Sequence, residues 1–503
     1  MQRTENPTPP LPPTPPTPAA SPSGGSADAP AAGRPRGLAG LNPFRGLPNP
    51  REVWAWGMYD LANQSFTLLV VTMYFGIYTR EVIAATPESG ERLWGWMTSG
   101  SMLLVVLLSP FLGALADARA WKKELLVGTG LACAGLTCAL GLVGPGQAAL
   151  AALLFVVANV AFNLGENFLA SFLPEISSRE QMGRVGATGW TMGYIGALVL
   201  LLISVAAILG FGWKDPAQWR PLFVFSGVWF LAAMMPPVFL LRERRRRQPG
   251  MTVGRTIAAA GSRLVRTARE AGRFRQLIAF LAVFFVYSFG TYTVIFFAGI
   301  ITKSVFDFGT IKLTLFILQT TVTAAVAAIA AARFQDRLGH RRTVLAFLAC
   351  WAVSTGGLAA MTLSPSPPEW LFWILANGVG LGLGGIGTAS RTLVGVFTPA
   401  HKTAEFFGLY GMVYKLSAVV GPLAFGYVKA GTGDAPALFL LCGFFVAGFL
   451  GMFLIDERAG MRAAREAEAE ALARGELPDE QDAAAGAILS TARQDLTEGE
   501  SGI

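Results

Sequence analysis

Twelve apolar stretches, each near the ~20 residues that cross a bilayer as a helix, follow one another along the chain. They run over 53–78, 93–116, 125–143, 148–172, 186–209 and 221–241, then over 277–301, 313–332, 343–363, 370–392, 405–428 and 437–455. This pattern predicts an all-α membrane protein with about twelve transmembrane helices. A basic gap, 242–273, divides them into an N-terminal six-helix bundle (51–241) and a C-terminal one (274–455). Paired six-helix repeats place a solute site between them near the midplane.

The flanks differ in character. Residues 1–50, rich in Pro, Ala, Gly and Ser, have too little apolar surface to fold and are expected to form a disordered cytoplasmic tail. The linker 242–273 alternates Val253, Ile257, Leu264 and Val265 with Arg255, Arg263, Arg266 and Arg269. It reads either as a basic helix lying on an anionic leaflet or as a solvated connection. The tail 456–503 is charged and Ala-rich, as a solvated helix would be.

Composition agrees with lipid as the solvent: only 14% of 503 residues are charged, against roughly a quarter in soluble proteins. The net charge of +8 gathers in loops between apolar runs rather than on a nucleic-acid-binding face, so no nucleic-acid partner is expected. Lys122, Lys123, Arg179, Arg184, the cluster Arg242–Arg247, Arg337, Arg341 and Arg342 all fall on one side. By the positive-inside rule that side and both termini are cytoplasmic. The four cysteines lie inside apolar runs and the two histidines in separate loops, so no metal site is expected. Walker loops, nucleophile elbows and zinc signatures are absent, which predicts neither an enzyme nor a cofactor.

Ionisable groups inside the spans are the candidate chemistry, because charge in hydrocarbon is costly. Asp60 lies about seven residues into the first span, with Asn63, Gln64 and Thr67 on its face. Asn159, Asn163, Glu166 and Asn167 repeat the pattern in the fourth. Either stripe serves as an interhelical hydrogen-bond cluster or contacts a solute or proton. Lys415, near the middle of the eleventh span, is the balancing cation, with Tyr410 and Tyr414 nearby. It pairs with a carboxylate, binds an anionic solute group or snorkels. Arg391 and Glu405 bracket the loop between the tenth and eleventh spans, suiting the helix dipoles there or acting as a gate.

Asp336-Arg337-Leu338-Gly339-His340-Arg341-Arg342 resembles the signature loop of the major facilitator superfamily. The matching loop of the first half keeps Gly113 and Asp117 but has Ala118 and Ala120 where the family has Arg and Gly. The stretch 54–66 (WAWGMYDLANQSF) is similar to the first-span motif of the vacuole-effluxer-like branch. Phe172-Leu173-Pro174-Glu175, the glycines 189, 193 and 196, Ser390-Arg391, and Glu405-Phe406-Phe407-Gly408 with Gly421-Pro422 extend the match from about residue 51 to 456. The seventh span departs from it, reading Tyr287-Ser288-Phe289-Gly290 where the branch has Tyr-Asn-Asp-Gly.

This resemblance implies the major facilitator fold and a multi-pass transporter of a bacterial inner membrane. Fungal members of the branch are associated with amino-acid export from vacuoles. It implies that Asp60 and Glu166 approach each other across a central cavity, and that Asp117, Asp336, Arg337 and Arg341 latch the halves. The expected function is alternating-access movement of a small polar solute, possibly an amino acid, with a proton or other ion as coupling partner. Alternatives are efflux of amphipathic compounds, or a sensor or scaffold that kept the fold.

Overall fold

A computed structural model describes residues 49–177, 181–244, 261–262, 265–267 and 269–474. The Pro-rich tail, except its last two residues, most of the linker, and the tail beyond 474 lie outside the described residues. The described chain holds twelve helices long and apolar enough to cross a membrane. They are α1 (Pro50–Ile83), α2 (Pro87–Arg119), α3 (Lys122–Leu140), α4 (Ala148–Ile176), α5 (Met182–Phe211) and α6 (Arg220–Leu240). The second six are α7 (Arg275–Phe306), α8 (Thr310–Leu338), α9 (His340–Met361), α10 (Glu369–Val396), α11 (Thr403–Thr432) and α12 (Asp434–Gly451). With an even number of crossings, the start of α1 and the end of α12 share one face, here the terminal face; the opposite face is distal.

Each packing relation in the first six helices recurs in the second. α1 packs on α5 and α6, and α7 on α11 and α12. α3 packs on α4 and α6, and α9 on α10 and α12; α2 packs on α4 as α8 does on α10. The halves meet through α2 against α11, α5 against α8, and α1 against α7, as a pseudo-two-fold axis requires.

Local chemistry explains where helices start and stop. Thr86 and Ser89 form a reciprocal capping box at the start of α2. After α2 the chain turns through Ala120 at φ 55°, and the matching turn after α8 uses Gly339 at φ 88°. The family's glycine therefore has a backbone reason, and Ala120 occupies that turn under strain. Pro174 does not end α4, which runs on to Ile176, four residues past the apolar run. In α1 the winding widens to π geometry over Ser65–Tyr74 and again over Thr79–Ile83.

The helix expected after residue 456 exists as α13 (Glu457–Ala473), but it is docked rather than solvated. Gly460, Ala464 and Ala471 are buried, because its alanine face lies on the C-terminal half, where α7 and α10 pack against it. Its first residue, Glu457, accepts the backbone N–H groups of His340 (3.1 Å) and Arg341 (3.0 Å), capping α9 from outside. Glu243, just past α6, does the same for α3 by accepting Lys123 N–H at 3.1 Å. The segments Leu241-Arg242-Glu243-Arg244 and Ile455-Asp456-Glu457-Arg458 are thus two copies of one device.

Hydrogen bonds join the halves toward the distal face. Trp94 Nε1 donates to Phe296 O at 2.7 Å, and Thr310 Oγ1 to Lys214 O at 3.0 Å. Tyr74 and Thr314 hydroxyls meet at 3.4 Å, and Trp96 Nε1 donates to Tyr427 OH at 2.9 Å.

Candidate functional site

The polar stripe of α1 is held in place from both sides. Trp56 Nε1 donates to Leu169 O of α4 at 2.9 Å. Gly189 of α5 lies so close that a Cβ there would overlap the Trp56 ring and the Asp60 carboxylate. Small residues permit this helix approach, and it fixes Asp60 one helical turn from Asn63 and Gln64. Asp60 and Gln64 are half-buried, whereas Asn63 is 3% exposed.

The α4 stripe is tied to α2 and α1. Asn159 Nδ2 donates to Ser101 Oγ at 2.7 Å, and Asn167 Nδ2 to Ser109 Oγ at 2.8 Å. Asn163 Nδ2 turns back to Asn159 O at 2.9 Å. Glu166 Oε1 accepts a hydrogen bond from Asn63 Nδ2, and its charge interacts with that of Asp60. The two carboxylates therefore lie at one depth, about ten residues, roughly 15 Å, from the terminal ends of their helices.

Lys415 of α11 reaches this cluster from the other half. Its Nζ donates to Asn167 Oδ1, and its charge acts on Glu166. Asn167 consequently links α2, α4 and α11. Beside Lys415, the Tyr414 ring lies 4.4 Å from Tyr292 and 5.5 Å from Phe284, while Tyr410 stacks on Phe284 at 4.5 Å. Tyr287 is buried, with its hydroxyl 2.7 Å from Ser390 Oγ, so this ring packs rather than lines open space.

The residues expected at the loops divide. Glu405 lies in the first turn of α11. Arg391 is five residues inside α10, exposed, and acts electrostatically on Tyr410 and Tyr414 rather than capping the helix end. Arg341 Nε donates to Met452 O at 3.0 Å, a contact within the C-terminal half. Arg337 is exposed. Asp117 and Asp336 belong to α2 and α8, and their side chains lie outside the described set.

Two charge clusters escaped the sequence reading. On the terminal face, Lys122 pairs with Glu175 at 2.7 Å, and Arg244 pairs with Glu52 while donating to Glu175 O at 3.0 Å. On the distal face, Glu91 of α2 pairs with Arg80 at 2.9 Å and with Lys429 of α11, which also pairs with Asp434. These residues sit at span ends, where charges ordinarily face water; it is the packing of α2 on α11 that brings Glu91 and Lys429 together.

The chain as a whole is similar to transporters. The model of the family described as vacuole effluxer Atg22 like matches residues 95–465. An uncharacterized MFS-type transporter of Bacillus subtilis (strain 168), YxiO, is 24% identical over 421 residues, covering 80% of this chain and 94% of its own. Autophagy-related protein 22 of Eremothecium gossypii is 23% identical, covering 80% of this chain and 90% of its own. Among solved structures, a D-xylose–proton symporter superposes with a TM-score of 0.64 at 13% identity, covering 82% of this chain and 98% of its own. The nucleoside transporter NupG does so with a TM-score of 0.62 at 12% identity, covering 80% and 99%; both likenesses speak to the fold. With the repeated six-helix bundles and a family match over most of its length, the chain belongs to the vacuole effluxer Atg22-like family of major facilitator transporters.

Proposed function

We propose that this transporter carries a small polar solute, with amino acids as the first candidates, by alternating access coupled to a cation taken up at Glu166. The observation that carries the reading is the meeting of Asp60 and Glu166 from one half with Lys415 from the other at one depth. A zwitterion suits such a pair of surfaces: its ammonium complements the carboxylates, its carboxylate complements Lys415, and Tyr414 and Tyr292 offer aromatic surface. Two carboxylates against one ammonium leave a surplus negative charge, which is expensive in a low-dielectric interior and favours uptake of a cation. Asn63, Gln64, Asn163 and Asn167 supply hydrogen-bond partners around the cluster.

The joined distal face supports a state open toward the terminal face. The basic loops Lys122–Lys123 and Arg341–Arg342 on that face favour its being cytoplasmic. The test is uptake of a labelled amino-acid panel into proteoliposomes, with and without a pH gradient, by wild type and Glu166→Gln. Saturable, gradient-sensitive flux lost in the variant is expected. Folded wild type that moves no member of the panel rules out amino acids, and gradient-driven flux through the variant removes Glu166 from coupling.

A further inference from the structure

One face of α10 changes character along its length. Gly380 and Gly384 are pressed against α8, where a Cβ on either would overlap Thr320 and Thr323 or Ala324. Three and seven residues after Gly384, at helical spacing, the same face carries Gly387 and Arg391. Gly387 is exposed, with no atom within 4 Å of where its Cβ would stand, and Arg391 is exposed as well. The face that is sealed in the distal half of α10 is thus open in its terminal half.

The surroundings of Arg391 place it on the solute side of the helix rather than the lipid side. Its neighbour Ser390 meets the Tyr287 hydroxyl of α7 at 2.7 Å, and the Tyr287 ring leads through Phe284 to Tyr410 and Tyr414 of α11. The Arg391 charge acts on both of those tyrosines, and Tyr414 adjoins Lys415. Among the described residues Arg391 forms no ion pair. It lies five residues, roughly 7.5 Å, from the terminal end of α10, about half the depth of Asp60 and Glu166.

The transport reading puts the solute's ammonium against Asp60 and Glu166 and its carboxylate against Lys415, so its side chain must leave that layer. The distal direction is closed by Trp94 on Phe296 O and by Tyr74 on Thr314. The terminal direction is open and is walled by Tyr414, Tyr410 and Arg391. A guanidinium there offers a planar fork of N–H donors that fits a carboxylate.

We propose that Arg391 binds the side-chain carboxylate of the solute, so that the preferred substrates are acidic amino acids. The inference rests on the transport reading above and deepens it by naming the substrate class. Lys415 and Arg391 then hold the two carboxylates of one dicarboxylic molecule along the α10–α11 wall.

The test is equilibrium binding of radiolabelled glutamate to the purified full-length protein, with glutamine as the neutral competitor of the same shape, followed by proteoliposome flux of both. Wild type should bind glutamate saturably and about tenfold more tightly than glutamine. Arg391→Gln should lose about tenfold in glutamate affinity, the equivalent of one hydrogen bond to a charged group, and leave glutamine affinity unchanged. Arg391→Lys keeps the charge and should recover part of the preference. A gating role or general damage to the fold would affect both solutes alike. Absence of saturable glutamate binding by folded wild type overturns the proposal, as does an Arg391→Gln variant that weakens both solutes equally or neither. Saturable flux of glutamine with no preference for glutamate also overturns it, while leaving the transport reading intact. Glutamate binding with this variant pattern but no flux of either solute supports the Arg391 contact and removes the transport reading instead.

Discussion

Glu91 in α2 and Lys429 in α11 face each other across the two bundles at 3.2 Å, with side chains only 5% and 3% exposed. Arg80 holds the same Glu91 oxygen at 2.9 Å. A sealed ion pair between halves ties the distal face shut, because parting the helices must rehydrate or separate its members. Removing Glu91 leaves Lys429 paired with Asp434 and Arg80 with Glu81, each within its own half, so the tie between the halves is lost without stranding either charge. Glu91→Gln should therefore shift the population toward a distal-open state. A cysteine placed at Thr314, beside the Tyr74 contact, should then react faster with a membrane-impermeant maleimide applied from the distal side. An unchanged labelling rate would show that the pair does not restrain opening.

The two capping glutamates make a matched pair of predictions. Glu457→Ala uncovers the first N–H groups of α9, and Glu243→Ala those of α3. Each should cost about 1 kcal/mol, as loss of a helix cap does, and lower Tm in detergent. The two losses should add, since the sites lie in different bundles. A double variant no less stable than either single one would contradict the independent-repeat arrangement.

Ala120 offers a stabilising change. It occupies the left-handed region at φ 55°, where a Cβ is disfavoured and glycine is not. Ala120→Gly should raise stability by about 1 kcal/mol. Gly339→Ala, its mirror in the second half at φ 88°, should lower it. Thermal unfolding of both variants checks the pair, and opposite signs are required.

Glu270 supplies a pH dependence outside the membrane. The hydrogen bond from Lys402 holds its carboxyl below the usual glutamate value, outweighing the partial burial that acts the other way. A depressed folded-state value means the tie contributes fully above about pH 4.3 and is lost as pH falls through the lower value. Hydrogen exchange of a peptide covering 269–274, corrected for intrinsic rate, should be slower in wild type than in Glu270→Gln at neutral pH. That difference should stay constant from neutral to mildly acidic pH and close below the ordinary glutamate range. A difference that widens on acidification would reverse the assignment.

The fold was legible because each span is a long apolar run bounded by charge, and because twelve runs split evenly around a basic linker. Helix ends were less so: Pro174, although exposed, stays inside α4, which runs four residues past the point that hydropathy marks. The stripes at Asp60 and Glu166 were visible as helical spacing, but their meeting depends on α1 crossing α4 over Trp56 and Leu169, which spacing does not encode. The distal cluster stayed hidden for a related reason, since Glu91 and Lys429 read as ordinary end-of-span charges until α2 and α11 pack. The Glu243 and Glu457 caps had a signal that went unused: the two Glu-Arg pairs at the ends of the sixth and twelfth spans align directly.

The π-wound stretch Ser65–Tyr74 separates the Asp60–Asn63–Gln64 face from the end of α1 that meets the other half. A π turn holds roughly one residue more than an α turn, so this stretch carries slack in its phase. Tightening it would rotate Met73 and Tyr74 against α7 and α8, where a Cβ at Gly299 would already overlap Met73 O, while Asp60 stayed anchored beside Gly189. Winding can thus change at one end of a span while the other keeps its register, with the Asp60 face and the distal contact of Tyr74 carried on a single helix as on an axle.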